Sequence, residues 1–255
     1  LALDRNSYLE ELNTIKTQII SGCPKCGGQG YSTGDALEPE TLTANVVPCE
    51  CSELWHFRLW QIKANLPREF WDVENASIKH NRDCFHAVQS YVENIDNALK
   101  YGLGFLMMGE NGVGKTTASA MIICGAIRKK HSAFYITSHD LADVLYLSVK
   151  DENVLPILDE RLASDFMVLD ELDKVHIKTD STFIQSKLDS ILRHRAASMK
   201  PTTIITNMTE VELFNSFGSS VASILTGKLK QLRFVPGDYR KEQGKRWDEL
   251  LKGQK

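Results

Sequence analysis

The stretch Gly109-Glu110-Asn111-Gly112-Val113-Gly114-Lys115-Thr116 constrains this 255-residue chain more than any other. Its spacing, G-x-x-x-x-G-K-[ST], lets glycines wrap the backbone around a phosphate chain with N–H groups pointing inward at a helix N-terminus. The loop works only between a strand and a helix. An apolar run bounded by glycines, 104–109, precedes it, and a helical pattern runs from Lys115 to about residue 130. The spacing therefore predicts that residues Gly109 through Thr117 cradle the phosphates of ATP or ADP. Lys115 would reach the β- and γ-phosphates, and Thr116 would coordinate magnesium.

The surrounding pattern alternates. A helix is expected over 83–100, strands over 133–137, 166–170 and 202–207, and a fifth strand over 231–235. Helices are expected over 139–149, 181–198 and 209–230, the last broken at Gly218. Strands apolar throughout and alternating with helices indicate an α/β fold, a parallel sheet flanked by helices. The third strand ends in Asp170-Glu171. Beside a phosphate loop these acids take separate roles, Asp170 for the metal and Glu171 as general base for an attacking water. Without that loop they would read as acids capping a helix. Asn207 closes the 202–206 strand, where it is either a turn residue or a polar sensor of the γ-phosphate and water. Its place one helix and one strand after the acids favours the sensor. The set disfavours small-metabolite kinases.

The N-terminal part reads as a separate module. Tyr8, Leu12, Ile15 and Ile19 make one apolar stripe on a helix over 3–20, packed on its own domain or docked on a partner protein. Cys23-Pro-Lys-Cys26 and Cys49-Glu-Cys51 give C-x2-C-x22-C-x-C, four thiolates able to close a tetrahedral zinc site. His56 is positioned to replace one ligand. A redox C-x-x-C would need a thioredoxin-like strand and helix, which are absent. Cys84 and Cys124 fall in predicted helices and read as packed small apolar groups. Trp55, Phe57, Trp60, Phe70 and Trp71 read as packing that anchors the connection between modules, with base stacking as the alternative. The expected division is 1–51 helix and zinc module, 52–81 linker, 82–240 nucleotide-binding domain, and 241–255 basic tail. From Lys228 onward nine Lys and Arg face four Asp and Glu, either a solvated tail or a contact for DNA or a neighbouring subunit.

A net charge of −3 excludes a uniformly basic nucleic-acid coat. No apolar run approaches the roughly 20 residues that cross a bilayer, and Asp4, Arg5, Glu10 and Glu11 do not suit the apolar core of a signal peptide. Six cysteines are too few for a disulfide scaffold in a chain this long, so a reducing cytoplasm is expected.

With these residues in view, the chain resembles the AAA+ ATPases of the DnaC/DnaI-type helicase loaders and the related IstB transposition ATPases. The matching elements are the 109–116 loop, Phe-Met-Val-Leu-Asp-Glu-Leu at 166–172, and Lys200-Pro-Thr-Thr-Ile-Ile-Thr-Asn207. Leu66-Pro67-Arg68-Glu69-Phe70 resembles the segment that leads into the ATPase domain. The resemblance implies an ATPase that binds single-stranded DNA and helps place a hexameric replicative helicase on it during DNA replication. It further implies self-assembly into a spiral or ring, with one subunit's arginine completing its neighbour's site, an effect worth about 10³–10⁵ in rate. An N-terminal zinc module is similar to that of DnaI-type loaders. The chain departs from the pattern at Ile224, where the arginine is expected; Lys228, Lys230, Arg233, Arg193 and Arg195 are the substitutes at hand. DNA would be gripped by loops after strands, such as 176–181. An IstB-like ATPase that recruits a transposase, and a nucleotide-gated adaptor with little hydrolysis, are the competing readings.

Overall fold

The computed structural model describes residues 5–37, 44–73, 80–177 and 181–236. It divides into two units, Leu1–Asn65 and Leu66–Lys255. The first opens with α1, Arg5–Ile20, which buries Ile15 and packs on α2, Glu50–Lys63. Between them the strands β1, Tyr31–Leu37, and β2, Ala44–Pro48, pair antiparallel, Tyr31 opposite Pro48. The hairpin returns the chain, so the cysteine pair before it meets the pair after it. Neither hairpin nor α2 is anticipated by the sequence pattern. Gly34 and Asp35 lie inside β1 and mimic a turn, and a register shift interrupts the ladder between Thr33 and Leu37.

The second unit begins with a 3-10 turn, Arg68–Phe70, followed by α3, Arg82–Glu93, and α4, Ile95–Tyr101. Then come β3, Gly104–Met108, α5, Lys115–Arg128, β4, Ala133–Thr137, α6, Ser138–Lys150, and α7, Val154–Leu162. Next are β5, Phe166–Asp170, a 3-10 stretch over Leu172–Ile177, and α8, Ser181–Ala197. The described part ends with β6, Thr202–Thr206, α9, Glu210–Lys228, and β7, Leu229–Arg233. The sheet order is β4-β5-β6-β3-β7, every pair parallel. β3, β5 and β6 are buried along their whole length, which is why they read as unbroken apolar runs.

Four local readings change. The 83–100 helix is two helices, parted at Asn94, whose side chain turns back to bond Ser90 O. α7 is new; its Pro156 lies in the first turn, where the missing N–H costs nothing. Gly218 does not break α9. An internal glycine costs only about 1 kcal/mol, and Leu213, Val221 and Leu225, all buried on the same helix, outweigh it. β7 begins at Leu229, two residues before the expected start, because it pairs with β3 from Gly104↔Leu229 onward. A Cβ at Gly104 would come within 2.0 Å of Thr202 O, so only glycine lets β3 and β6 approach there. Among the described residues no helix is long and apolar enough to cross a membrane.

Arg195 is 2% exposed. Its Nε donates to Thr202 Oγ1, Nη1 to the carbonyls of Leu162 and Ser164, and Nη2 to those of Asp165 and Pro201. Five bonds use the five guanidinium N–H groups and lock the residues leading into β5 and β6. Burial lowers its pKa to about 10, against the pull of Asp165, so it stays cationic at neutral pH. Arg195 is thus an internal clamp, and it is withdrawn from the candidates for an arginine that reaches a neighbouring subunit. Arg195→Leu would leave these acceptors unpaired and should lower unfolding stability by about 3 kcal/mol or more in urea titrations. Arg195→Lys should restore little, since one ammonium cannot span the fork. A loss within about 0.5 kcal/mol, that of an ordinary surface change, would contradict the clamp.

Candidate nucleotide site and cysteine cluster

Because β6 lies between β5 and β3, the C-terminal ends of three strands converge. The phosphate loop leaves β3, the acids leave β5, and Asn207 follows β6. The loop bends through Gly109, Gly112 and Gly114, all at positive φ, and α5 starts directly after Gly114. At Gly109 a Cβ would also meet Phe234 O at 2.4 Å. Phe234 N donates to Met108 O at 2.8 Å, and the Asn81 side chain bonds Val113 O and both the N–H and the carbonyl of Val235. The loop is therefore braced from Asn81, the residue before α3, and from the segment after β7.

Lys115 is buried, its Nζ 2.7 Å from Gly109 O, 2.6 Å from Glu110 O and 2.9 Å from Asn207 Oδ1. The cleft beside it holds about 180 Å³ and is lined by residues 111–117, Asp170, Glu171 and Asn207. Gly109 and Glu110 meet the site through the carbonyls that Lys115 holds. Four lining residues are absent from the expected set: Glu69, Phe70, Asp173 and Ile205. Glu69 and Phe70 belong to the 66–70 segment, closed by a Trp71 Nε1 to Leu66 O bond of 3.0 Å.

Asp170 is 3% exposed. Its Oδ2 accepts from Thr116 Oγ1 at 2.9 Å and Tyr135 OH at 2.8 Å, and its Oδ1 from Glu171 N at 2.7 Å. Burial raises the Asp170 pKa above the usual carboxylate value, against these hydrogen bonds. Burial and the adjacent carboxylate likewise raise the Tyr135 phenol. A buried carboxylate is costly without a counter-charge. Asp170 and the Thr116 hydroxyl are hard oxygen donors of the kind magnesium takes, so the pair fits that ion. Glu171 also lines the cleft: it sits at φ 56°, a left-handed conformation rare outside glycine, and its carboxylate pairs with Lys174. Neighbours in sequence, the two acids have separate environments, one interior and one half-exposed.

Asn207 is held from the acid side. Its N–H donates to Asp173 Oδ1 at 3.0 Å, and its Nδ2 to Asp173 Oδ2 at 3.0 Å and to Asn111 Oδ1 at 3.2 Å. Thr206 Oγ1 lies 3.4 Å from Asp173 Oδ1. Asp173 and Tyr135 carry no motif. The one available signal is position, three residues beyond Asp170 for Asp173 and mid-strand on β4 for Tyr135.

The remaining candidates for a trans-acting cation lie elsewhere on the unit. Arg193 pairs with Asp189, Arg233 with Glu210, and Lys230 is exposed at the start of β7. Lys228 ends α9, and its side chain is not described. Ile224 joins Leu103, Met199 and Leu225 in an apolar groove of about 280 Å³. The 241–255 tail and residues 178–180 of the 176–181 loop lie outside the described residues.

In the first unit Cys23, Cys26, Cys49 and Cys51 place their sulfurs within 4.8 Å of one another. The Cys23–Cys49 and Cys26–Cys51 pairs are 3.8 and 3.5 Å apart. Four sulfurs at about 2.3 Å from a tetrahedral zinc are about 3.8 Å apart, whereas a disulfide is about 2.05 Å. The spacing fits a shared ion. Gly30 N donates to Cys26 Sγ at 3.2 Å and is the main cause of a Cys26 pKa lowered to about 6. His56 is exposed on α2 and does not join the cluster among the described residues, so four cysteines form the donor set. Cys124 is fully buried in α5; Cys84 is only partly buried in α3 and donates to Arg233 O.

No family model matches the chain. Over 135 residues it is 24% identical to the replicative helicase loader DnaC of Escherichia coli (strain K12), a stretch covering 52% of this chain and 53% of DnaC. The chain thus matches about half the length of these curated relatives. The crystal structure of the DnaC helicase loader superposes with a TM-score of 0.58 at 22% identity, covering 66% of this chain and 99% of that one. The crystal structure of DnaI gives 0.52 at 16% identity, over 68% and 93%. The replication initiator DnaA bound to AMPPCP and single-stranded DNA gives 0.53 at 17%, over 63% and 49%. Sheet order, phosphate loop and these superpositions together establish an AAA+ fold of the kind seen in DnaC, DnaI and DnaA, in a chain whose sequence resembles the DnaC helicase loaders.

Proposed function

We propose that this protein is an ATP-hydrolysing helicase loader that binds single-stranded DNA and helps place a hexameric replicative helicase on it. The observation that carries the reading is the convergence of Lys115, the Thr116–Asp170 pair and Asn207 on one cleft, in a chain resembling DnaC. Lys115 exchanges its loop carbonyls for phosphate oxygens as ATP enters. Thr116 and Asp170 hold magnesium, which supplies charge neutralisation at the phosphates when bound. Glu171 takes the proton of the attacking water once its carboxylate leaves Lys174, and Asn207 senses the γ-phosphate from the end of β6. Subunits assemble in a spiral or ring in the cytoplasm, and the first unit, folded around zinc, docks the helicase. A second reading, a nucleotide-gated adaptor whose arginine comes from a partner, is favoured by the internal position of Arg195 and by Ile224 lying in an apolar groove.

Lys115→Ala should weaken ATP binding by about 100-fold or more in calorimetric titrations, a charged hydrogen-bond network being lost. Unchanged affinity would remove the phosphate-site assignment. Glu171→Gln should keep that affinity while hydrolysis falls about 10²–10⁴-fold. In the unaltered protein, hydrolysis per subunit should climb with protein concentration and with added single-stranded DNA. A flat, near-zero rate with ATP still bound would move the choice to the adaptor. Metal analysis should find close to one zinc per chain, and Cys26→Ser should lower zinc content and the helical circular dichroism of the first unit together. Well under one zinc in the unaltered protein would end the zinc assignment.

A further inference from the structure

We infer that Asp173 is the positioning residue for Asn207: it fixes which way the carboxamide faces and thereby sets the preference for a triphosphate over a diphosphate. The inference rests on the nucleotide-site reading above. Its ground is the chemistry of the three groups around one amide. Lys115 Nζ touches the amide oxygen at 2.9 Å, and Asp173 Oδ2 touches the amide nitrogen at 3.0 Å. An ammonium only donates and a carboxylate only accepts, so this orientation is forced. The flipped amide would set oxygen against carboxylate and NH2 against ammonium, losing two charge-assisted bonds for two repulsions.

The grip extends to the main chain. Asn207 N donates to Asp173 Oδ1 at 3.0 Å, one residue beyond the last residue of β6. β6 stays paired with β3 through Thr206, but on its β5 side the ladder ends at Leu169 and Ile204, so the Asp173 carboxylate serves that side beyond the ladder. Thr206 Oγ1 approaches the same oxygen at 3.4 Å. Asp173 occupies the 3-10 stretch that Glu171 opens in its left-handed conformation. One short turn thus carries both the candidate base and the holder of the sensor, and a shift of the turn moves the two together.

The test is a double-mutant cycle read by equilibrium binding, so hydrolysis is not required. Fluorescence titrations measure magnesium-AMPPCP and magnesium-ADP on the unaltered protein, Asp173→Ala, Asn207→Ala and the double variant. Asp173→Ala should weaken AMPPCP about 10-fold, the loss of charge-assisted hydrogen bonds, with ADP within about 2-fold. In the Asn207→Ala background the same change should move AMPPCP by less than about 2-fold. Asp173→Asn, which keeps the size of the side chain, should show the same triphosphate-selective loss if the alanine variant fails to fold. Equal losses of both nucleotides would mean general collapse of the cleft and would overturn the inference. A loss that persists without Asn207 would make Asp173 a direct ligand of nucleotide or metal and would also overturn it. An unaltered protein that binds neither nucleotide overturns the site reading itself, and this inference with it.

Discussion

A lysine ammonium held inside the sheet's C-terminal edge organises the second unit. Buried charge must be met by acceptors, and Lys115 finds two in its own loop and one on Asn207, 92 residues away in sequence. For that third partner to be present, β6 must lie against β3, although β4 and β5 intervene along the chain. The right-handed crossovers of a parallel sheet make that order available. The interleaved strands then bring Asp170 beside Thr116 without a further device. The helices supply the apolar cover under which such a charge can be kept.

The loop, the acids and the Asn were legible because their chemistry is tied to spacing along the backbone. Glycines, a Lys-Thr pair opening a helix and an acid ending an apolar strand are local facts. Asp173 and Tyr135 were not legible, because their roles exist only once different strands lie side by side. Arg195 was misread for a related reason. Arginine is ordinarily exposed, and nothing near residue 195 announces five acceptors gathered from around residues 162–165 and 201–202. The β1–β2 hairpin was hidden by turn-like residues within a strand, and α7 by a proline that its first turn accommodates.

The first unit solves a different problem. Among its described residues Ile15, Cys49, Cys51, Gln61 and Ala64 are buried, two of the five being cysteines of the cluster. Units of this size ordinarily gain from a covalent or metal staple. Four sulfurs at metal spacing stand where larger domains place leucines. The half of the cluster before the hairpin and the half after it are brought together by the paired strands, so an ion held there and hairpin formation would support each other.

Asn81 makes the phosphate loop depend on residues far outside its own spacing. Its amide links Val113 to Val235, beside the Phe234 N to Met108 O bond that ties the same two segments. The Gly109 backbone leaves room for the Phe234 carbonyl on the same side. Grafting residues 109–116 onto another strand and helix would therefore transplant a sequence without its scaffold. Altering position 81, or the residues after β7, would remove these braces without touching the loop's own sequence.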